Sequence, residues 1–224
     1  MFGTRHDLKH LEEKYVAKME KEPVIPGKIL FYGHSSFTRW GGKAWGYRRA
    51  DEDIRMKDGS LAVVNHGFGT STSLDLLYNY DRLVKPWAPR VLVLNVFNND
   101  PSRGYNAAEI VSHVALLCDF ATADFPDIKI ICLSAAPGPK SNGLEDYFTR
   151  TRDEYDPMLK DFCDKRDNIT FVNQSDWDMF YSSPEDKANR IVREDIFVED
   201  KVHLNQAGYD LYAEKFREIL DEYL

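Results

Sequence analysis

Residues 28–36 read KILFYGHSS, a short apolar run that ends at a glycine and continues into three polar residues. An apolar run of this length, bounded by turn residues, is typical of a strand that is buried on both faces. Four similar runs follow along the chain: LAVVNHG at 61–67, RVLVLNVF at 90–97, IKIICLS at 128–134 and NITFVN at 168–173. We therefore predict five buried parallel strands.

The segments between these runs carry helix signals. Asn106 and Glu109 have the spacing of an N-terminal helix cap. An apolar stripe follows at Ile110, Val111, Val114, Leu117, Cys118 and Ala121. A second stripe, at the end of the chain, consists of Tyr209, Tyr212, Ala213, Phe216, Ile219, Leu220 and Tyr223. Strands that alternate with amphipathic helices predict right-handed crossovers and a three-layer α/β/α sandwich around a parallel sheet.

The composition limits the class of protein. The 224 residues include 29 Lys and Arg against 37 Asp and Glu, which gives a formal net charge of −8. Basic residues are interleaved with acidic ones, whereas a nucleic-acid binder needs a basic cluster, so we expect no nucleic-acid partner. No apolar run approaches the roughly 20 residues of a membrane span, and the charged start lacks the apolar region of a signal peptide. We expect no membrane partner and a cytoplasmic location.

We predict one domain with a short N-terminal extension. Residues 1–26 are highly charged and end at two prolines, so we expect a helical extension on the outside of a domain that spans 27–224. Its apolar residues at helical spacing are Leu8, Leu11, Tyr15 and Met19. Long loops at 41–60 and 174–200 are candidates for ligand binding. The three cysteines are widely spaced and are expected to be structural thiols. The sequence does not indicate an oligomeric state.

Polar side chains follow three of the predicted strands. His34, Ser35 and Ser36 follow the first strand, NHGFGT at 65–70 spans the end of the second, and NND at 98–100 follows the third. Because the carboxyl ends of parallel strands meet at the same edge of a sheet, we expect these groups to lie close together.

A carboxylate and a histidine precede the last predicted helix. Asp200 lies three residues ahead of His203, so its carboxylate can accept a hydrogen bond from the imidazole Nδ1–H. A histidine oriented in this way can act as the base for a serine nucleophile, for which Ser35 is the candidate. A metal site at His34, His66 and His203 is the competing interpretation, but no carboxylate completes a ligand set. We expect neither a metal nor a cofactor.

Taken together, these blocks resemble the SGNH (GDSL-like) hydrolase family in order, context and spacing over residues 28–224. That family carries its serine after the first strand in a Gly-Asp-Ser or Gly-Ser-Ser context, and Gly33, His34 and Ser35 stand there in this chain. The family's Asp-x-x-His block is unaltered as Asp200 and His203. The resemblance implies a flavodoxin-like α/β/α fold with a five-stranded parallel sheet. It also implies Ser35, Asp200 and His203 as the catalytic residues.

The resemblance further implies an oxyanion hole. Its donors would be the backbone N–H groups of Ser35 and Thr70 and the side-chain amide of Asn99, with Gly69 beside Thr70. Three positions depart from the family pattern, because His34 replaces the usual acid or serine, and Thr70 and Phe97 replace glycines. A distorted hole would weaken catalysis. A catalytically impaired binding protein on the same fold therefore stays open beside an active hydrolase.

The family resemblance implies a carboxylic ester hydrolase. Polar and aromatic residues fill both long loops, which favours a short, acetyl-like acyl group on a small-molecule or carbohydrate ester. A lysophospholipase or thioesterase-type hydrolase is the alternative. We expect Gly69, His34 and Trp45 to contact the substrate, and Trp40 to be buried. Activity is expected to rise from about pH 6 to a plateau near 8 as His203 loses its proton.

Overall fold

The computed structural model describes residues 7–41, 44–139, 145–183, 185 and 191–224. Its strands are β1 (Ile29–Gly33), β2 (Val63–Gly67), β3 (Val91–Asn95), β4 (Lys129–Leu133) and β5 (Ile169–Val172). They form one five-stranded sheet in the order β2-β1-β3-β4-β5, and every neighbouring pair is parallel. This order is the flavodoxin-like one. The predicted strands and fold class are confirmed.

The α-helices of the described residues are α1 (Ala17–Met19), α2 (Ser35–Arg39), α3 (Ala50–Asp53), α4 (Ser73–Tyr78), α5 (Tyr80–Leu83), α6 (Ala107–Asp124), α7 (Glu145–Asp164) and α8 (Gln206–Leu220). Short 3₁₀ turns lie at Lys85–Trp87, Pro101–Arg103, Gln174–Asp176, Asp178–Phe180 and Asp221–Tyr223. The predicted cap of α6 is present. The Asn106 side chain accepts a hydrogen bond from the Glu109 backbone N–H, and the Glu109 carboxylate accepts one from the Asn106 N–H.

Alternate residues of β1 belong to two different cores. Leu30 and Tyr32 pack with apolar residues of α6 and α7 on one face of the sheet. Ile29 and Phe31 pack with apolar residues of α2 and α8 on the other face. Because helices cover both faces, every residue of β1 is buried. This arrangement explains why the predicted strands read as continuous apolar runs rather than as alternating ones.

The N-terminal segment packs on the helical layer that contains α4, α5 and α6. Its regular structure starts with a π-helical turn, Glu12–Val16, and continues into the short α1. Leu11 and Val16 are buried in the core on this side of the sheet. The helical part is shorter than the 1–26 predicted, and residues 1–6 lie outside the described part of the chain. The division into an extension and a domain stays a prediction.

The remaining sequence expectations concern cysteines, membrane spans and loops. All three cysteines are free and buried, and the Cys118 and Cys132 sulfurs are 3.9 Å apart. Within the described ranges, no helix has the length and apolar character needed to cross a membrane. The two predicted long loops are described except at 42–43, 184 and 186–190.

The end of β2 is where helix and sheet approach each other most closely around Ser35. A methyl group added to Gly67 would lie 2.4 Å from the Phe37 Cβ and 2.5 Å from the Thr38 backbone nitrogen. Both atoms belong to α2, which begins at Ser35. A side chain at position 67 would therefore push α2 away from the sheet, and Ser35 would move with it.

We predict that Gly67→Ala lowers the free energy of unfolding by about 3 kcal/mol, because it overpacks a contact with backbone atoms that cannot rotate away. Thermal unfolding followed by circular dichroism measures the loss. Gly59→Ala is the control, since Gly59 has a positive φ of 82° and no other atom within 4 Å of an added methyl group. Gly59→Ala should lower the free energy of unfolding by only about 1 kcal/mol, which is the strain of an alanine in the left-handed backbone conformation. If Gly67→Ala unfolds at the same temperature as Gly59→Ala or above it, the close contact is not what positions α2.

Candidate active site

Ser35 stands at the sharp turn between β1 and α2. The preceding residue, His34, has extended backbone angles and caps the helix, since its Nδ1 accepts a hydrogen bond from the Ser36 N–H at 3.3 Å. Ser35 is half-buried at the carboxyl edge of the sheet. The hydroxyl is therefore presented at the point where the ends of β1, β2 and β3 meet.

Ser35, His203 and Asp200 form a continuous chain of hydrogen bonds. The Ser35 Oγ lies 2.9 Å from the His203 Nε2, and the His203 Nδ1 lies 2.8 Å from the Asp200 Oδ2. The loop that carries the pair is held by Asp200, whose Oδ1 accepts the N–H groups of Val202 and His203, both at 2.9 Å. With Nδ1 facing a carboxylate, Nδ1 carries the proton and Nε2 is free to accept one from serine.

The Asp200 carboxylate is kept ionised by its hydrogen bonds. Burial acts to raise its pKa, but the backbone donors of His203 and Val202 and the imidazole of His203 outweigh burial and lower the pKa to about 2. Asp200 therefore stays negative throughout the pH range in which His203 titrates.

His203 also has a perturbed pKa. Burial lowers the pKa of His203 below its ordinary value, the Asp200 hydrogen bond opposes this effect, and the positive charge of Arg39 adds to it. The Arg39 guanidinium lies 3.2 Å from Asp200 Oδ2, the same oxygen that faces the imidazole. Sequence reasoning missed Arg39. The sequence does place Arg39 one helical turn after Ser35. From that position in α2, a side chain can reach the loop that carries Asp200.

Trp45 stands at the outer rim of this arrangement. Its ring lies 4.3 Å from the Arg39 guanidinium carbon, and its side chain is about half exposed. This stacking places Trp45 against the cation that contacts Asp200. Trp40, in contrast, is fully buried and stacks on Tyr209 of α8, as expected from the sequence.

Asn99 shares a pocket with the serine and the histidine. The pocket is lined by Ser35, Ser36, Asn98, Asn99, Ser102, Asp200, Val202 and His203. One hydrogen of the Asn99 amide is donated to the Ser71 carbonyl at 2.9 Å, which orients the group and leaves the second hydrogen available. The next residue, Asp100, is buried and accepts hydrogen bonds from the Ser73 N–H and hydroxyl, so its role is structural.

Thr70 and Phe97 stand where the family resemblance implies glycines, and both have a positive backbone φ, which glycine adopts without strain. Thr70 has a φ of 65° and Phe97 a φ of 103°. Such angles strain a residue with a Cβ by about 1–3 kcal/mol. The ring of Phe97 is fully buried between Phe148 and Tyr155, at centroid distances of 5.1 and 4.8 Å, and this burial offsets the strain. Thr70 is exposed, so its strain has no such compensation.

The other candidate residues lie in different environments. A methyl group on Gly69 would be 3.9 Å from the Ser35 Cβ, so Gly69 adjoins the serine. His34 is only 1% exposed, and burial lowers its pKa to about 3, so it is a neutral helix cap beneath the serine rather than part of the open surface. His66 is buried too, with its Nδ1 2.7 Å from the Leu83 carbonyl. Within the described residues, no three His, Cys, Asp or Glu side chains are grouped to hold a metal ion.

A cavity of about 170 Å³, with both apolar and polar residues in its walls, adjoins the serine pocket. The two share Ser36, Asn98, Ser102 and Val202. The remaining lining residues are Ala136, Pro137, Gly138, Phe148, Thr149, Arg152, Phe180, Phe197, Leu204 and Tyr212. Sequence reasoning missed this cavity, because its walls come from segments that are far apart along the chain.

A protein-family model covers most of the chain. The model of the GDSL-like Lipase/Acylhydrolase family matches residues 31–211, which is most of the chain. A search of curated proteins finds no match.

Solved structures show the same fold at low sequence identity. A GDSL-like lipase from Bacteroides thetaiotaomicron has a TM-score of 0.71 at 17% identity, over 97% of this chain and 100% of that chain. A catalytic mutant of an acetylxylan esterase from Geobacillus stearothermophilus has a TM-score of 0.62 at 19% identity, over 88% of this chain and 95% of that chain.

We predict that Arg39→Gln raises the pKa of His203. The substitution removes a positive charge that disfavours the imidazolium, while the hydrogen bond to Asp200 remains. An NMR titration of the His203 ring protons measures the change, and the wild-type midpoint should lie below the ordinary value of about 6.5. Arg49→Gln serves as the control, because Arg49 pairs with Asp51 instead. An unchanged or lower His203 pKa in Arg39→Gln would show that Arg39 does not act on the imidazole.

Proposed function

Since the chain belongs to the GDSL-like lipase/acylhydrolase family, it is an esterase-type hydrolase, and we propose that it removes a short, acetyl-like acyl group from a small-molecule or carbohydrate ester through an acyl-enzyme on Ser35. The observation that carries this proposal is the hydrogen-bonded chain from Asp200 through His203 to Ser35, at 2.8 and 2.9 Å. These distances are within the reach that general-base activation of a nucleophile requires.

The first half of the reaction forms the acyl-enzyme. His203 Nε2 takes the Ser35 proton as Oγ forms a bond to the ester carbonyl carbon, and the resulting imidazolium is stabilised by Asp200. The tetrahedral intermediate then collapses, and the bond between the carbonyl carbon and the alcohol oxygen breaks. The imidazolium gives its proton to the departing alcohol oxygen. The acyl group is left as an ester of Ser35.

The second half releases the acid. Water gives a proton to His203 Nε2 as its oxygen attacks the Ser35 ester, and the second tetrahedral intermediate collapses with the proton returned to Ser35 Oγ. Because burial and Arg39 hold the pKa of His203 below its ordinary value, the neutral base is present at a lower pH than the sequence alone suggests. Activity should therefore rise with its midpoint below about pH 6.5.

The oxyanion that forms in both intermediates needs hydrogen-bond donors. In this proposal they are the N–H groups of Ser35 and Thr70 and the free amide hydrogen of Asn99. Removal of one such donor typically reduces the rate about 10²-fold to 10³-fold. The positive φ at Thr70 and at Phe97 supports an intact hole, because the backbone keeps the conformation that a glycine would have at each position.

The cavity beside Ser36 supports a short acyl group. An apolar cavity of roughly 150 Å³ holds a ligand the size of benzene. The present cavity, at about 170 Å³, is of this size, which favours a short acyl group as its occupant. A carbohydrate as the alcohol is supported by the acetylxylan esterase that shares the fold.

We predict that a fluorophosphonate probe labels the wild-type protein and does not label Ser35→Ala. The probe reacts with an activated serine, and Ser35 is the residue that contacts His203. Intact-protein mass spectrometry detects the adduct. Ser36→Ala is the matched control and should still be labelled, since the nearest side-chain partner of Ser36 is His34 rather than His203. A wild-type protein that does not react would instead favour the catalytically impaired binding protein.

The size of the acyl group is tested with a series of nitrophenyl esters. We predict that kcat/KM for the octanoate is at least about 10-fold below that for the acetate or butyrate, because a chain that exceeds its pocket loses binding in the transition state. The acetate and butyrate should differ by much less. Preference for the octanoate would contradict the short-acyl proposal while leaving ester hydrolysis itself in place.

A further inference from the structure

The hydroxyl of Tyr15 lies at the edge of the proposed active site. A methyl group added to Gly69 would be 2.8 Å from the Tyr15 hydroxyl and 3.9 Å from the Ser35 Cβ. The hydroxyl and the serine are therefore on the same side of the Gly69 backbone. Tyr15 comes from the N-terminal segment, more than fifty residues before Gly69 along the chain.

The Tyr15 hydroxyl is free to bind a ligand. Its ring is half-buried against the core that contains Leu11 and Val16. The hydroxyl forms no hydrogen bond with the residues that the structure describes. A half-buried tyrosine normally directs its hydroxyl to a partner. Here the hydroxyl lies beside Gly69, the glycine that adjoins Ser35.

Two kinds of contact hold Tyr15 in this position. Leu11 and Val16, on either side of it in the chain, are buried, and the Val16 N–H closes the π-helical turn on the Leu11 carbonyl at 3.3 Å. Arg82 of α5 then ties both ends of the segment. Its guanidinium donates to the two Glu12 oxygens at 2.7 Å each and to the two Glu20 oxygens at 3.0 and 2.7 Å. π-helical turns of this kind are frequent at functional sites.

Tyr15 and the cavity flank Ser35 on opposite sides. Gly69 follows β2, which neighbours β1 on one side, whereas the cavity is lined by residues that follow β3 and β4 on the other side. If the acyl group occupies the cavity and the carbonyl oxygen occupies the oxyanion hole, the alcohol part of the ester is directed away from the cavity. On that side, the Tyr15 hydroxyl lies beside Gly69.

We propose that Tyr15 determines specificity for the alcohol part of the substrate, by a hydrogen bond between its hydroxyl and a hydroxyl group of a sugar or polyol. This inference rests on the proposed ester hydrolysis at Ser35. The N-terminal segment thereby contributes to recognition of the substrate, and Arg82 positions Tyr15 without touching the ester.

The experiment compares two acetate esters in wild type and in Tyr15→Phe. One is acetylated xylose, whose leaving group carries hydroxyls, and the other is nitrophenyl acetate, whose leaving group carries none. A neutral hydrogen bond is worth about 1 kcal/mol, so Tyr15→Phe should raise KM for acetylated xylose about 5-fold. KM and kcat for nitrophenyl acetate should stay as in wild type. Tyr78→Phe, which changes an exposed tyrosine of α4, should alter neither substrate.

The outcomes separate this inference from the proposed function. A wild-type protein that neither reacts with fluorophosphonate nor hydrolyses nitrophenyl acetate overturns both. Hydrolysis of nitrophenyl acetate with no hydrolysis of acetylated xylose overturns the role of Tyr15 alone, as does an unchanged KM in Tyr15→Phe. An equal fall in kcat for both esters also overturns it, since the hydroxyl would then act on the oxyanion.

Arg82→Gln tests how Tyr15 is positioned. Loss of the contacts to Glu12 and Glu20 should loosen the segment and raise KM for acetylated xylose, with fluorophosphonate labelling unchanged. In the double variant with Tyr15→Phe, the two effects should not add, because both remove the same hydrogen bond. Full additivity would show that Arg82 does not act through Tyr15.

Discussion

The close approach of backbone at two glycines is the constraint on which the rest of the site depends. A methyl group on Gly33 would lie 2.4 Å from the Asn95 carbonyl oxygen, and one on Gly67 would lie 2.4 Å from the Phe37 Cβ. These contacts let β1 end against β3 and let α2 start directly over β2. Because Ser35 is the first residue of α2, its position follows from backbone packing and not from its own side chain.

The histidine beside that serine is subject to opposing effects on its pKa rather than to one ion pair. Asp200 orients His203 and favours its protonated form, whereas burial and Arg39 favour the neutral form. The balance leaves a neutral imidazole over most of the pH range, which is the state a general base needs. The overall charge of −8 has no direct part in this balance. The charged groups that act on the pKa of the histidine are close to it: Asp200 is hydrogen-bonded to the imidazole, and Arg39 is hydrogen-bonded to Asp200.

Thr70 and Phe97 each hold a backbone conformation that normally favours glycine. Both residues have positive φ, and the surrounding chain imposes this on them. At Phe97 the ring fills space between Phe148 and Tyr155, so burial of apolar surface compensates for backbone strain. At Thr70 the same positive φ sets the direction of the backbone N–H, which is the proposed donor to the oxyanion.

Local pattern was sufficient to predict the five strands, the capped helix α6 and the apolar stripe of α8, because burial and helical periodicity are properties of neighbouring residues. The burial of Trp40 was expected from the family resemblance. The order of the polar blocks also identified Ser35, Asn99, Asp200 and His203 as the candidate site. Only the tertiary structure decided that His34 is a buried cap, that Arg39 reaches Asp200, that a cavity adjoins Ser36, and that Tyr15 stands beside Gly69. Each of these depends on contacts between segments that are distant along the chain, and a one-dimensional pattern does not record which distant side chains share a volume.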